Sequence, residues 1–124
     1  MSTETQKDLV RRFYDEALNV HRVDVIDELA LADYIEHEPL PGQRDGLVGL
    51  KDRASMLIEG LASTYTLHDV IAEGDRVVVR WTNSGYHSGE FLGIPPTGRP
   101  FDFAGIDIYR IENNRMAEHW HVVD

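Results

Sequence analysis

The hydrophobic period of this chain changes once, at about Thr64, and that single change leaves few folds open to it. Before Thr64 the apolar residues recur at helical spacing. Leu9, Val10, Phe13, Tyr14, Ala17 and Leu18 form two adjacent rows over residues 3–19, with Thr3 and Gln6 placed as a capping box. Val25, Ile26, Leu29 and Ala32 repeat the period more loosely over residues 23–34, until Pro39, Pro41 and Gly42 break it. Leu47, Leu50, Ala54, Leu57, Ile58 and Leu61 make a third stripe that ends near Ala62. Beyond it the pattern is that of strands. Tyr65, Leu67, Val70 and Ile71 precede a tight turn at Gly74-Asp75. The β-branched run Val77-Val78-Val79 then continues through Trp81 and Tyr86 to Phe91, with Gly85 and Gly89 at bends. A loop with Gly93, Pro95, Pro96, Gly98 and Pro100 separates these strands from a last hairpin, residues 101–111 and 115–123. Helices first and a strand meander afterwards, without βαβ alternation, predict an α+β domain: three N-terminal helices on one face of a curved antiparallel sheet.

Its 124 residues suffice for one core, so one domain over residues 1–124 is expected. With 22 acidic against 12 basic residues the formal charge is −10, and no Lys/Arg cluster runs against it. Phosphate backbones and anionic lipid are repelled, so neither nucleic acid nor membrane is an expected partner. Cysteine is absent, which removes disulfides, thiolate metal sites and a Cys nucleophile. The start, Met1-Ser2-Thr3-Glu4, is polar, and no apolar run reaches the length of a membrane span or a signal core; a cytoplasmic protein is expected.

Chemistry concentrates in the final hairpin. Two of the six histidines close the chain in Glu118-His119-Trp120-His121, opposite the lone acid of Gly105-Ile106-Asp107-Ile108-Tyr109. Whether Asp107 and His121 meet depends on the turn, because a one-residue change of register moves a strand side chain to the other face. A two-residue turn at Asn113-Asn114 sets 107 opposite 120 and parts the pair. A three-residue loop, Glu112 to Asn114, sets 107 opposite 119 and diagonal to 121, and both turns suit Asn-Asn. On the second arrangement Phe101, Phe103, Asp107 and Tyr109 share a face with His119 and His121, and Val77, Val79 and Trp81 continue it across the next strand. That face can be a ligand cavity or an ordinary core.

Several ordered segments then resemble one family: residues 71–82 (Ile71-Ala72-Glu73-Gly74-Asp75 to Thr82), residues 87–99 with their Leu92-Gly93-Ile94-Pro95-Pro96-Thr97-Gly98 core, Gly105-Ile106-Asp107-Ile108-Tyr109-Arg110, Glu118-His119-Trp120 and the weaker His37-Glu38-Pro39. Together they look like the SnoaL-like polyketide cyclases, of the nuclear-transport-factor-like superfamily, over nearly the whole chain. The resemblance implies a cone-shaped roll of three helices on a strongly curved antiparallel sheet around a deep apolar pocket. It also implies a homodimer or homotetramer, no metal or organic cofactor, and an apolar ketone-bearing substrate closed by intramolecular aldol addition. It favours the three-residue loop, and relatives that continue past Asp124. In the family motif the position of Asp107 is His and that of His121 is Asp, so this chain carries the pair in exchanged order; geometry rather than chain order defines such a site.

Asp107 and His121 are thus the candidate proton-transfer pair, against the plainer reading of Asp107 as a structural carboxylate bonded to a helix. His119 is a pocket or supporting residue, His37 is expected to cap the cavity mouth, and Trp81, Phe103 and Tyr109 are expected to grip a planar ligand. His119-x-His121 with Asp107 also has the spacing of metal ligands, a use the resembling family does not make. Competing classes are a hydrolase, dehydratase or isomerase in the same cavity, and a protein that only captures small molecules.

Overall fold

A computed structural model describes residues 2–124. Helix α1 (Thr3–Arg12) runs on as π-helical turns over Phe13–Asn19, and a 3₁₀ turn (Val23–Val25) leads into a single turn, α2 (Ile26–Leu29). Strand β1 (Ala30–Glu36) and helix α3 (Gly46–Leu61) precede β2 (Thr64–Glu73), β3 (Arg76–Tyr86), β4 (Pro100–Glu112) and β5 (Arg115–Val123). The cap of α1 is Ser2, whose Oγ accepts the Thr5 N–H at 3.1 Å, in place of the expected Thr3 and Gln6 box. Gln6 is instead buried against the body of the protein. The wide π turns present both apolar rows at once: Phe13, Tyr14, Ala17 and Leu18 are all buried. None of these helices is long and apolar enough to cross a membrane.

The strands form one sheet in the order β1-β5-β4-β3-β2. The three hairpin contacts are antiparallel, but β1 lies parallel to β5, so the sheet is mixed rather than wholly antiparallel. The second expected helix therefore stops at Leu29, and the residues after it are strand. Ala30 and Tyr34, the buried positions of β1, lie four apart, a spacing that fits a helix stripe and one face of a strand equally. The free edge of β5 decides between them by offering backbone partners, down to His37 N–H donating to His119 O. Strand β3 ends at Tyr86 and not at Phe91; Gly85 and Gly89 pack against carbonyls of Leu61, Ala62 and Glu59, where a side chain has no room.

The β4–β5 hairpin makes the two-residue turn, but with a register that neither expected arrangement gives. Asn113 and Asn114 have φ of 50° and 65°, the two-residue left-handed turn that Asn tolerates, and Glu112 pairs with Arg115. Ile111 still pairs with Met116, but Arg110 pairs with Glu118, leaving Ala117 as the extra residue of a β-bulge. Met116 and Ala117 are consecutively buried, as a bulge requires. From there the register is one residue on: Tyr109 faces His119 and Asp107 faces His121. The two-residue turn does not part the pair, because the bulge restores the shared face.

Candidate active site

Between the helices and the inner face of the sheet lies a cavity of about 240 Å³. Its walls are mostly apolar, with Phe13, Leu50, Leu57, Trp81, Phe91 and Phe103 among them. Polar side chains converge on it, among them Tyr14, Glu36, Arg53, Asp107, His119 and His121.

Asp107 is 6 % exposed, and the side chains of Tyr14, Trp81 and His119 donate to its carboxylate. Oδ2 accepts the Tyr14 hydroxyl and the Trp81 Nε1–H, the latter at 2.8 Å, and Oδ1 accepts from His119 Nε2 at 3.1 Å. Tyr14 also lies 2.8 Å from the Tyr109 hydroxyl; with its own proton on Asp107, it accepts from Tyr109. Burial disfavours the charged carboxylate, yet His119, Tyr14 and Trp81 outweigh it and hold the pKa of Asp107 below the usual aspartate value. Burial, and then the negative charge of Asp107, raise the Tyr14 phenol well above its ordinary value, so it stays a donor.

His119 stands between two carboxylates. Its Nδ1 meets Glu36 Oε2 at 2.6 Å while Nε2 meets Asp107. An imidazole can donate from both nitrogens only as the cation. Burial opposes that charge, but the bonds to Asp107 and Glu36 prevail and raise the His119 pKa; the same contacts depress that of Glu36 against its burial. The row Glu36–His119–Asp107 is therefore a fixed ion network, and His119 has no free nitrogen with which to take a proton from a ligand.

His121 differs in each respect. It lies half-buried beside His119, ring centres 5.2 Å apart, and Arg53 Nη2 donates to its Nδ1 at 3.2 Å. Burial, then the charges of Arg53 and His119, lower its pKa against the pull of Asp107 and Glu36, so it is neutral at neutral pH. Glu36, His119 and His121 bring potential ligand atoms within 4.8 Å of one another, Glu36 standing where the sequence suggested Asp107. Those atoms already serve the ion network and Arg53.

Of the residues singled out in the sequence, Asp107, His119, His121, Trp81, Phe103 and Tyr109 all line the cavity. His37 does not cap its mouth. Just past the end of β1, it turns away from the cavity, bonding Glu118 at 2.6 Å and stacking on Trp120 with ring centres 4.9 Å apart. Sequence reasoning missed three members. Tyr14 was hidden in an apolar row, and Glu36 in a segment read as the end of a helix. Arg53 carried a legible signal, a charge between Leu50, Ala54 and Leu57 on a buried stripe.

The indole of Trp81 lies directly over its cross-strand partner Gly105, where an added Cβ collides with ring carbons Cζ2 and Cη2. Gly105→Ala is expected to push the indole off Asp107 and to cost about 1–3 kcal/mol. A thermal melt and the emission of Trp81 read the two effects, and an unchanged melt together with an unchanged spectrum refutes them.

Residues 8–124 match the family model described as SnoaL-like polyketide cyclase. The chain is 29 % identical over 122 residues to the aklanonic acid methyl ester cyclase DnrD of Streptomyces peucetius, covering 93 % of this chain and 81 % of that protein. A second aklanonic acid methyl ester cyclase, DauD of Streptomyces sp. strain C5, is 29 % identical over 121 residues, 92 % of this chain and 73 % of its own. Among solved structures, TsrD from Streptomyces laurentii superposes with a TM-score of 0.87 at 30 % identity, over 100 % of this chain and 91 % of that one.

Proposed function

We propose, since the chain belongs to the SnoaL-like polyketide cyclase family, that its cavity performs acid/base proton transfer on an apolar, ketone-bearing small molecule, most specifically an intramolecular aldol ring closure, without a metal. The observation that carries this reading is a buried, ionised carboxylate, Asp107, facing a neutral imidazole, His121, across β4 and β5 in a cavity with mostly apolar walls. Two facts favour an ion-pair network over a metal centre: both nitrogens of His119 point at carboxylates, and the Arg53 cation stands against His121.

The steps follow from the charges. Asp107 Oδ1 retains a lone pair beyond the bond from His119 and takes a proton from a carbon acid. The electron pair of that C–H bond becomes an enolate, whose carbon attacks a second carbonyl of the same molecule. A C–C bond forms, the attacked C=O becomes an alkoxide, and the alkoxide takes the proton back from Asp107. Product and substrate have the same mass. A carboxylate held below its ordinary pKa is a weak base, so only a carbon flanked by carbonyl groups is acidic enough to serve. Orientation in a dry cavity supplies much of the rest.

The test is ring closure of aklanonic acid methyl ester, the compound for which the two cyclases are named. Purified chain is expected to convert such a ketone ester to a product of unchanged mass, and His121→Asn to lower kcat by about 10²-fold or more. Failure of the chain to transform any of a panel of 1,3-dicarbonyl methyl esters, while a melt shows that they bind, assigns the cavity to capture alone.

A further inference from the structure

Four charged groups surround His121, from every element packed on it: Arg53 of α3, Asp107 of β4, Glu36 of β1 and His119 of its own strand. One of them bonds it. Arg53 Nη2 lies 3.2 Å from Nδ1. A guanidinium has five N–H donors, no acceptor, and a pKa far above any working pH, so in this contact Nδ1 must accept. The ring proton of the neutral imidazole is then on Nε2, which among the described residues has no hydrogen-bond partner although the side chain lines the cavity. Arg53 is itself held at several points. Its Nη1 donates to Glu38 O at 3.1 Å and reaches Gln43 Oε1 at 3.5 Å and Glu36 Oε1 at 4.0 Å; its side chain is 15 % exposed. A planar fork serves these acceptors and His121 together, which a single ammonium does less well.

We propose that Arg53 is a positioning residue that locks His121 in the Nε2–H tautomer, so that His121 meets a keto or enolate oxygen of the ligand as a neutral hydrogen-bond donor and not as a base. Its chemical consequence rests on the ring-closure reading above; the tautomer does not. In that reaction the division of labour is then complete. Asp107 accepts the proton from carbon, and the oxygen on which negative charge develops receives the Nε2–H bond, which strengthens as the charge grows. The ligand class narrows accordingly, to molecules whose acidic carbon and acceptor oxygen belong to one enolisable carbonyl.

The experiment is long-range ¹H–¹⁵N correlation on the full chain labelled with ¹⁵N-histidine, the His121 signals being identified by their loss in His121→Gln. The wild-type spectrum is expected to show, through neutral pH, a protonated Nε2 and an unprotonated Nδ1. Arg53→Met is expected to give a mixture of tautomers and an upward shift of the His121 titration midpoint by about one pH unit. Arg53→Lys keeps the charge without the fork and is expected to restore the midpoint more fully than the single tautomer. A proton on Nδ1 in the wild type overturns the proposal even if no Arg53 variant folds, and so does an Arg53→Met spectrum with the same tautomer and midpoint as wild type. Where Arg53→Met shifts the tautomer but leaves ring closure at the wild-type rate, the assignment of Arg53 stands and the catalytic reading of His121 fails.

Discussion

Asp107→Asn is expected to slow ring closure by about two to four orders of magnitude, the usual worth of a positioned proton acceptor, while the protein stays folded. The amide is close in shape to the carboxyl, and its oxygen still accepts the Tyr14 hydroxyl and the Trp81 indole N–H. The difference falls on His119. Its Nε2 proton loses an acceptor, the ring keeps only the Nδ1–H bond to Glu36, and it becomes neutral. One negative and one positive charge disappear together, so the site is left without an unpaired ion and the cost to stability is about 1–3 kcal/mol. Single-turnover kinetics, ligand binding followed through Trp81 fluorescence and a thermal melt separate the three effects. Turnover within a few-fold of wild type, with binding intact, removes Asp107 from the mechanism.

Removing His119 itself has the larger effect on stability. His119→Phe leaves Glu36 and Asp107 facing one another without the cation between them, and breaking a buried ion network in this way costs on the order of 3–5 kcal/mol. The pH dependence carries the signature. His119 has a raised folded pKa, so its contribution is fully present below its unfolded value near 6.5 and is lost as pH rises through the folded one. Asp107 and Glu36 have depressed folded values; their contribution is present above 3.8 and 4.5 and is lost as pH falls through the folded ones. The contribution of this network to wild-type stability is therefore expected to be flat from about pH 4.5 to 6.5 and to fall on both sides, and it is read as the difference between the wild-type and His119→Phe melting profiles. In His119→Phe the alkaline fall due to this residue disappears, and the acid fall becomes shallower because the carboxylates no longer gain from ionising. A variant whose profile parallels wild type refutes the ion network.

Local patterns carried the architecture wherever partners are close in sequence. The stripes of α1 and α3 and the alternation of β2 to β5 were legible because each element shows its own period. β1 was not. Its buried positions suit either period, and its partner β5 lies some eighty residues further on. The hairpin illustrates a second limit: Asn113-Asn114 announces a turn, but the bulge at Ala117 arises from the burial of Met116 and Ala117 side by side, which loop chemistry does not encode. Strand parity brought Asp107, His119, His121, Trp81, Phe103 and Tyr109 to one face, while the side chains that set their charge states, Tyr14, Glu36 and Arg53, come from elements whose apolar patterns look like plain core. The two readings of Asp107 were not exclusive, since the bond from helical Tyr14 is part of what keeps the carboxylate ionised. The exchanged order that the family resemblance implies for Asp107 and His121 is one the fold accommodates. The two positions are direct cross-strand partners, and either order places one carboxyl group and one imidazole in the same cavity.

The parallel seam between β1 and β5 governs when the site can exist. Glu36 and His119 are separated by 83 positions and Tyr14 and Asp107 by 93, so these two bonds each close a loop of most of the polypeptide. During folding the early helices can collapse against β2 and β3, but the cavity stays an open trough until β5 slides in between β1 and β4. Enclosure of the cavity is thus a late, long-range event, reached only when β5 docks between its two neighbours.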